Sequence, residues 1–301
     1  MAGPQSGVLP DANGFATFIT YLIEDAAAVR GVLRDLPGLT DEIAARAPEA
    51  KLTSVAAVGA DAWGRLFDQG RPVQLRPFKA IDGAGGRAPA TPADLLVHIR
   101  GDRRDLNFEL ARQVTSRLGD SVSAVEEIDG FRYFDSRDLT GFVDGTENPT
   151  GDDRAAVALV GDADSAFAGG SYIAVQRYIH DLAAWERLSV AEQEQVIART
   201  KTDNVEFKSD DKPLTSHIKQ VSLKEDSKSL EILRHSMPYG TSGEHGLYFI
   251  AYCATPDNFD KMLESMLVGD GEGHTDHLMT YSHAVTGASF FAPARDWLEA
   301  L

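Results

Sequence analysis

Four short stretches of this chain bring together residue types that could do chemistry as a set. Residues 141–149 read GFVDGTENP, with Asp144 between glycines and a turn-forming Asn-Pro at the end. Glycine lets backbone approach a ligand closely, so Asp144 could be presented as a proton acceptor and donor against something flat and bulky. Alone, an Asp between glycines is ordinarily a turn residue, and the downstream motifs are what give it chemistry. These are Ser216-His217-Ile218, ILRHSMP over 232–238, and GLYF over 246–249. His217 offers ring nitrogens, Arg234 a permanent cation, and Leu247 and Phe249 an apolar wall. In an extended strand Arg234 and Ser236 share one face, while Leu233, His235 and Met237 take the other. Leu247 and Phe249 share a face by the same period. An apolar wall with one Arg and one Asp makes a sparse pocket, suited to a large planar group and a very small co-substrate.

Other candidates are weaker. The eight histidines include His274 and His277 in HTDH, whose compact spacing a metal could use, but no third ligand stands nearby and a solvated loop is expected there. The glycines of DGAGG (82–86) predict a loop and not a nucleotide site, because no strand-to-helix junction follows. The phosphate-loop, zinc-protease and nucleophile-elbow signatures are absent. The one cysteine, Cys253, can form neither an intramolecular disulfide nor a zinc site by itself. With 29 Lys and Arg against 46 Asp and Glu, the formal charge is −17, which argues against nucleic acid and anionic membrane partners. The opening residues have no basic and apolar signal regions, and no apolar run reaches the ~18 residues of a membrane span, so a cytoplasmic location is expected.

The elements that must position these residues run in a repeated order. The 301 residues amount to roughly two domains. The first half reads as a strand over 15–24, a helix over 25–36 stopped by Pro37-Gly38, strands over 52–59 and 93–101, a helix over 105–118 and a strand over 123–134. The second half reads as a strand over 171–180, a helix over 182–200, a strand over 246–254 and a helix over 258–267. LLVHIRGDRRDLNFELARQV and GLYFIAYCATPDNFDKMLESM are the same unit of strand, charged turn and amphipathic helix. The fold class is therefore α+β. Two ferredoxin-like domains are expected, antiparallel sheets with helices packed around them, over 1–150 and 151–301.

On these motifs the chain resembles the dye-decolourising peroxidase family, particularly its short bacterial members without a secretion signal. The resemblance covers most of the chain and is densest from Gly141 to Pro293, where GFVDGTENP matches the family's GxxDG motif. It implies haem b in the second domain, with His217 as proximal iron ligand, Asp144 as distal acid/base and Arg234 as distal arginine. Leu247 and Phe249 match residues that roof the distal haem face, and Gly145, Thr146, Glu147 and Ser236 complete the implied cofactor-binding set. Many relatives carry Asn two residues beyond the distal arginine, so Ser236 implies a different positioning of peroxide. Asp276 is the candidate carboxylate behind His217, with Asp270 and Glu272 as rivals. The implied activity uses hydrogen peroxide to oxidise dyes, phenols or other one-electron donors through an oxidised haem. Bulky dyes would react at a propionate edge or through a surface radical, with Tyr133, Tyr239 and Trp297 as relay candidates that also fit packing roles. A homo-oligomer is implied too. The rival readings are a haem-handling protein with incidental peroxidase activity and, further behind, a haem-free small-molecule binding module.

Overall fold

Aromatic and β-branched residues dominate Phe15–Ile23, and this segment is the first strand, β1. It joins β2 (Thr53–Gly59), β3 (Leu95–Gly101) and β4 (Val122–Phe131) in an antiparallel sheet of order β4-β1-β3-β2. The computed structural model, which describes residues 3–301, builds the second half the same way. There β5 (Ser171–His180), the short β6 (Leu233–Arg234) and β7 (Met237–Gly240), β8 (His245–Cys253) and β9 (Ser282–Ala292) form a second antiparallel set. Its order is β9-β5-β8-β7, with β6 also on β8. Numbered within each half, with β6 and β7 taken as one interrupted strand, both sets read fourth, first, third, second. Two narrow seams close the halves into a barrel-like ring of eight strands: Val58 and Gly59 meet Phe291 and Phe290, and Gly130 meets Tyr239. Closure leaves few unpaired strand edges.

The alternation of side chains sorts the core into layers. Ala16, Phe18, Val55, Leu96, Ile173, Tyr248, Ile250 and Tyr252 fill the ring's interior. The opposite face of the first half packs Ile19, Tyr21, Val97 and Ile99 against helices α1 (Ala26–Ala44) and α2 (Arg104–Leu118). The outer face of the second half packs Ala174 and Tyr178 against Phe259, Leu263 and Met266 of α4 (Asp257–Leu267). Preceding it is α3 (His217–Val221), a single turn and a half that the sequence pattern did not disclose.

Two helix boundaries differ from expectation. The first helix does not stop at Pro37; it continues to Ala44, with Leu39, Thr40 and Ile43 buried beyond the proline. Burial of that apolar stripe outweighs the hydrogen bond the proline cannot make. The helix expected over 182–200 is two pieces, Leu182–Trp185 and Val190–Ile197, because Ser189 starts a new helix with a reciprocal cap to Glu192. The DGAGG turn is a small hairpin lying on the end of α4. A Cβ at Gly83 would stand 2.1 Å from the Leu267 carbonyl oxygen, so this glycine serves close packing.

Candidate active site

His217 is the first residue of α3, and its ring is anchored from behind. Nδ1 lies 2.6 Å from Oδ2 of Asp276, whose side chain is wholly removed from solvent. Asp276 is itself fixed by its surroundings: its amide donates to the Met266 carbonyl, and its other carboxylate oxygen accepts from the Leu278 amide. The next residue ties the two segments together, since His277 N donates to the Thr215 carbonyl at 2.9 Å. With Nδ1 committed, Nε2 is the nitrogen left for a ligand, and the His217 side chain keeps 24% of its exposure. The rivals for the carboxylate role are elsewhere. Asp270 accepts from the Glu272 amide and pairs with His274 at 2.7 Å. Asp270, Glu272 and His274 form a loose, largely exposed group, and Asp276 is no part of it.

Arg234 ends β6 on the outer face of the second-half sheet. Leu233 faces the ring's interior opposite Tyr252, and His235 is buried with Nε2 2.9 Å from the Val8 carbonyl, so the expected alternation is observed. Arg234, Ser236, Leu247 and Phe249 are all partly exposed, while the intervening residues are buried. Ser236 Oγ accepts from the Ile250 amide at 3.3 Å, which turns it toward β8. Arg234 Nη1 stands 3.6 Å from Asp144 Oδ1, with both side chains about a quarter exposed. A residue not singled out by the sequence makes that pairing: Asn148 Nδ2 donates to the Arg234 carbonyl, and its Oδ1 accepts from the Arg234 amide. One amide side chain thus mimics a strand partner and docks the Asp144 loop onto β6. The Asn-Pro of GFVDGTENP was the available signal, and it reads as turn chemistry alone.

Gly145 takes a left-handed φ of 78°, and its amide donates to Asp144 Oδ1 at 2.7 Å. Beyond this turn Thr146 lines the same cleft as Asp144 and Gly145, and the side chains of Thr146 and Glu147 contact residues of the second half. Thr146 Oγ1 accepts from Asn204, and Glu147 pairs with Arg199 at 2.5 Å. Among the relay candidates, Trp297 packs with Trp63 and Phe67, and Tyr239 is buried with its hydroxyl on the Tyr178 carbonyl. Tyr133 lines a cleft of about 440 Å³ that opens over Asp144 and Arg234. A second cavity of about 400 Å³, between Phe78, Tyr172 and Phe259, contains none of the site residues.

A loop carboxylate thus stands beside a strand arginine, with a carboxylate-backed histidine on a separate helix. Family descriptions for Dyp-type peroxidase, N-terminal and C-terminal, match residues 5–132 and 135–297. The chain belongs to the Dyp-type peroxidase family. A dye-decolorizing peroxidase of Mycobacterium tuberculosis is 47% identical over 297 residues, covering 97% of this chain and 89% of that protein. A Dyp-type peroxidase structure from Shewanella oneidensis superposes with a TM-score of 0.97 at 47% identity, covering 100% of this chain and 99% of that one. A haem-bound DypB variant from Rhodococcus jostii gives 0.96 at 43% identity over 99% and 98%. The chain shares the two-domain Dyp fold, an antiparallel sheet with helices, with these two solved structures.

Within this Dyp fold, the residues present fit a haem. The donor set has one imidazole with a carboxylate behind it, and partly buried apolar side chains of Val221, Ile232, Leu247, Phe249 and Leu278 border the same cluster. Such a surface suits a porphyrin better than a bare metal ion, which would demand three or four converging ligands.

Proposed function

We propose that this chain is a haem b peroxidase that uses hydrogen peroxide to oxidise dyes, phenols or other one-electron donors. The observation that carries the reading is the buried Asp276 carboxylate 2.6 Å from His217 Nδ1, in a chain whose Asp144 and Arg234 stand 3.6 Å apart. His217 Nε2 would hold the haem iron, and Asp276 fixes the tautomer and strengthens the imidazole as a donor. When bound, haem supplies an iron with an open position and a macrocycle able to hold oxidising equivalents. Asp144 accepts a proton from peroxide and returns it to the oxygen that departs as water. Arg234, always cationic, stabilises the charge that develops as the O–O bond breaks. Leu247 and Phe249 keep bulk water from the face where this occurs, and Ser236 and Gly145 shape its edge.

The same proposal covers the architecture. The halves are duplicated ferredoxin-like domains with haem in the second, supported by the shared strand order. The division is set at 150/151, although residues 132–150 lean on the second half through Trp185, Arg199 and Arg234. A homo-oligomer and a cytoplasmic location come from the family resemblance. Among the described residues, no helix is long and apolar enough to cross a membrane. The test is expression with haem supplied. A Soret band and peroxide-dependent oxidation of a phenolic dye are expected, and a colourless protein that takes up no haemin would overturn the reading.

A further inference from the structure

The cleft above Asp144 contains two buried residues with side-chain polar atoms that have no partner among the described residues. Arg100, on β3 at the mouth of the ring, is 2% exposed, yet its Nε and Nη1 are unpaired. Its one hydrogen bond is a long 3.4 Å contact to the Asp11 carbonyl. Asn13 is also 2% exposed, and neither Oδ1 nor Nδ2 is partnered. The carboxylates that might neutralise Arg100 are engaged. Asp11 Oδ1 is 3.3 Å from Arg154, and Asp102 accepts from the Gly14 amide. A buried guanidinium with no carboxylate paired directly to it is costly, and so are buried amide groups left unpaired.

The charge of the cleft runs against that of the molecule. In a chain of net charge −17, five arginines (100, 132, 137, 154 and 234) line it against two carboxylates, Asp11 and Asp144. Burial and the nearby Arg154 charge pull the Arg100 guanidinium down to about 10, against the opposing influence of Tyr252, Asp102 and Asp11, which leaves it cationic at neutral pH. The other wall is apolar, formed by Leu233, Met237 and Pro238. A volume of about 440 Å³ lies in the range that holds a small organic molecule.

We infer that this cleft binds a small organic carboxylate, its oxyanion held by Arg100, Asn13 and Arg154 and its apolar body against Leu233 and Met237. Paired N–H donors of a guanidinium match a carboxylate's two oxygens, and the interaction strengthens away from water. An occupant lies beside Asp144 and Arg234, so an electron donor carrying a carboxylate is held next to the residues assigned to peroxide. The site depends on none of the groups proposed to bind haem, and its test reads separately from theirs.

The experiment is a calorimetric titration of the haem-loaded protein with benzoate in low-salt buffer, with benzyl alcohol and inorganic phosphate as comparison probes and the Soret band recorded in parallel. Saturable benzoate binding is expected, with an unmoved Soret band and no heat from benzyl alcohol. Arg100→Met should weaken benzoate by at least about tenfold, the loss of charge-assisted hydrogen bonds. Without anions its unfolding midpoint should be no lower than the parent's. Arg154→Gln should also weaken benzoate, and it decides the matter if Arg100→Met does not fold. Affinity unchanged in these variants, a Soret shift on adding benzoate, or no saturable binding would overturn the proposal. Phosphate binding tighter than benzoate would overturn the organic carboxylate as occupant.

Discussion

The Asp276 carboxylate and the His217 imidazole are joined at 2.6 Å across 59 residues of sequence, on a side chain that solvent does not reach. Such a carboxylate orients a ligating histidine, and removing one typically weakens metal binding ~10–100-fold. Asp276→Asn should therefore bind haem more weakly by that factor in a haemin titration. His217→Ala should lose most haem outright. Full occupancy with an unchanged visible spectrum in His217→Ala would move the ligand elsewhere, with His245 and His277 next in line.

Arg234→Leu should retain haem and lose peroxide activation. The substitution removes the fixed charge beside the breaking bond, and loss of one such electrostatic donor costs about 10²–10³ in rate. Stopped-flow absorbance after mixing with peroxide measures it. A parent-like rate would remove Arg234 from the mechanism.

Asp144→Asn keeps the shape of the loop residue and deletes the base. If the carboxylate is essential, oxidation of the haem by peroxide slows at every pH. The 3.6 Å separation from Arg234 supports a shared role in which the arginine dominates. The expected loss is thus smaller than for Arg234→Leu. A larger loss in Asp144→Asn reverses that order.

Much of this site was legible because its motifs are short and local. GFVDGTENP, the spacing of Arg234 and Ser236, and the period-two pattern of Leu247 and Phe249 all survive into the structure. The contacts of Thr146 and Glu147 with Asn204 and Arg199 were not legible, since they join residues 58 and 52 positions apart. Asp276 was the candidate ahead of Asp270 and Glu272, but no local pattern settles the choice among them. That choice depends on the His277–Thr215 backbone bond, a contact across 62 residues. Ring closure was illegible for the same reason. Its two seams involve two pairs and one pair of residues, and no local pattern marks them.

Asn148 gives a prediction independent of any charge. Its side-chain amide holds the Arg234 backbone through two hydrogen bonds of 2.8 and 3.1 Å. Asn148→Ala should leave haem occupancy unchanged and slow the peroxide step by about tenfold, as expected when a catalytic group loses part of its positioning. Asn148→Asp, which keeps the acceptor and loses the donor, should fall between. Parent-like peroxide kinetics in Asn148→Ala would reduce the residue to a loop anchor.

The last prediction concerns acid stability and two histidines outside the proposed chemistry. Within the ring, His98 stacks on Phe18 and places Nδ1 2.8 Å from the Tyr252 hydroxyl, while His235 packs against the same tyrosine. Burial holds both imidazoles well below the ordinary histidine value, and the Arg100 charge adds to the effect in each. In the unfolded chain they titrate near ~6.5. Below that pH the unfolded chain binds protons that the folded chain refuses, so folding stability falls as the pH drops and is unaffected well above it. Each histidine contributes a slope approaching about 1.4 kcal/mol per pH unit until its folded value is reached. Denaturant unfolding at pH 7.5 and at pH 5 measures the loss. His235→Gln should lose less on acidification than the parent does, whatever its stability at pH 7.5, because one of the two proton sites is gone. If parent and variant lose the same amount between those pH values, the acid sensitivity comes from other groups.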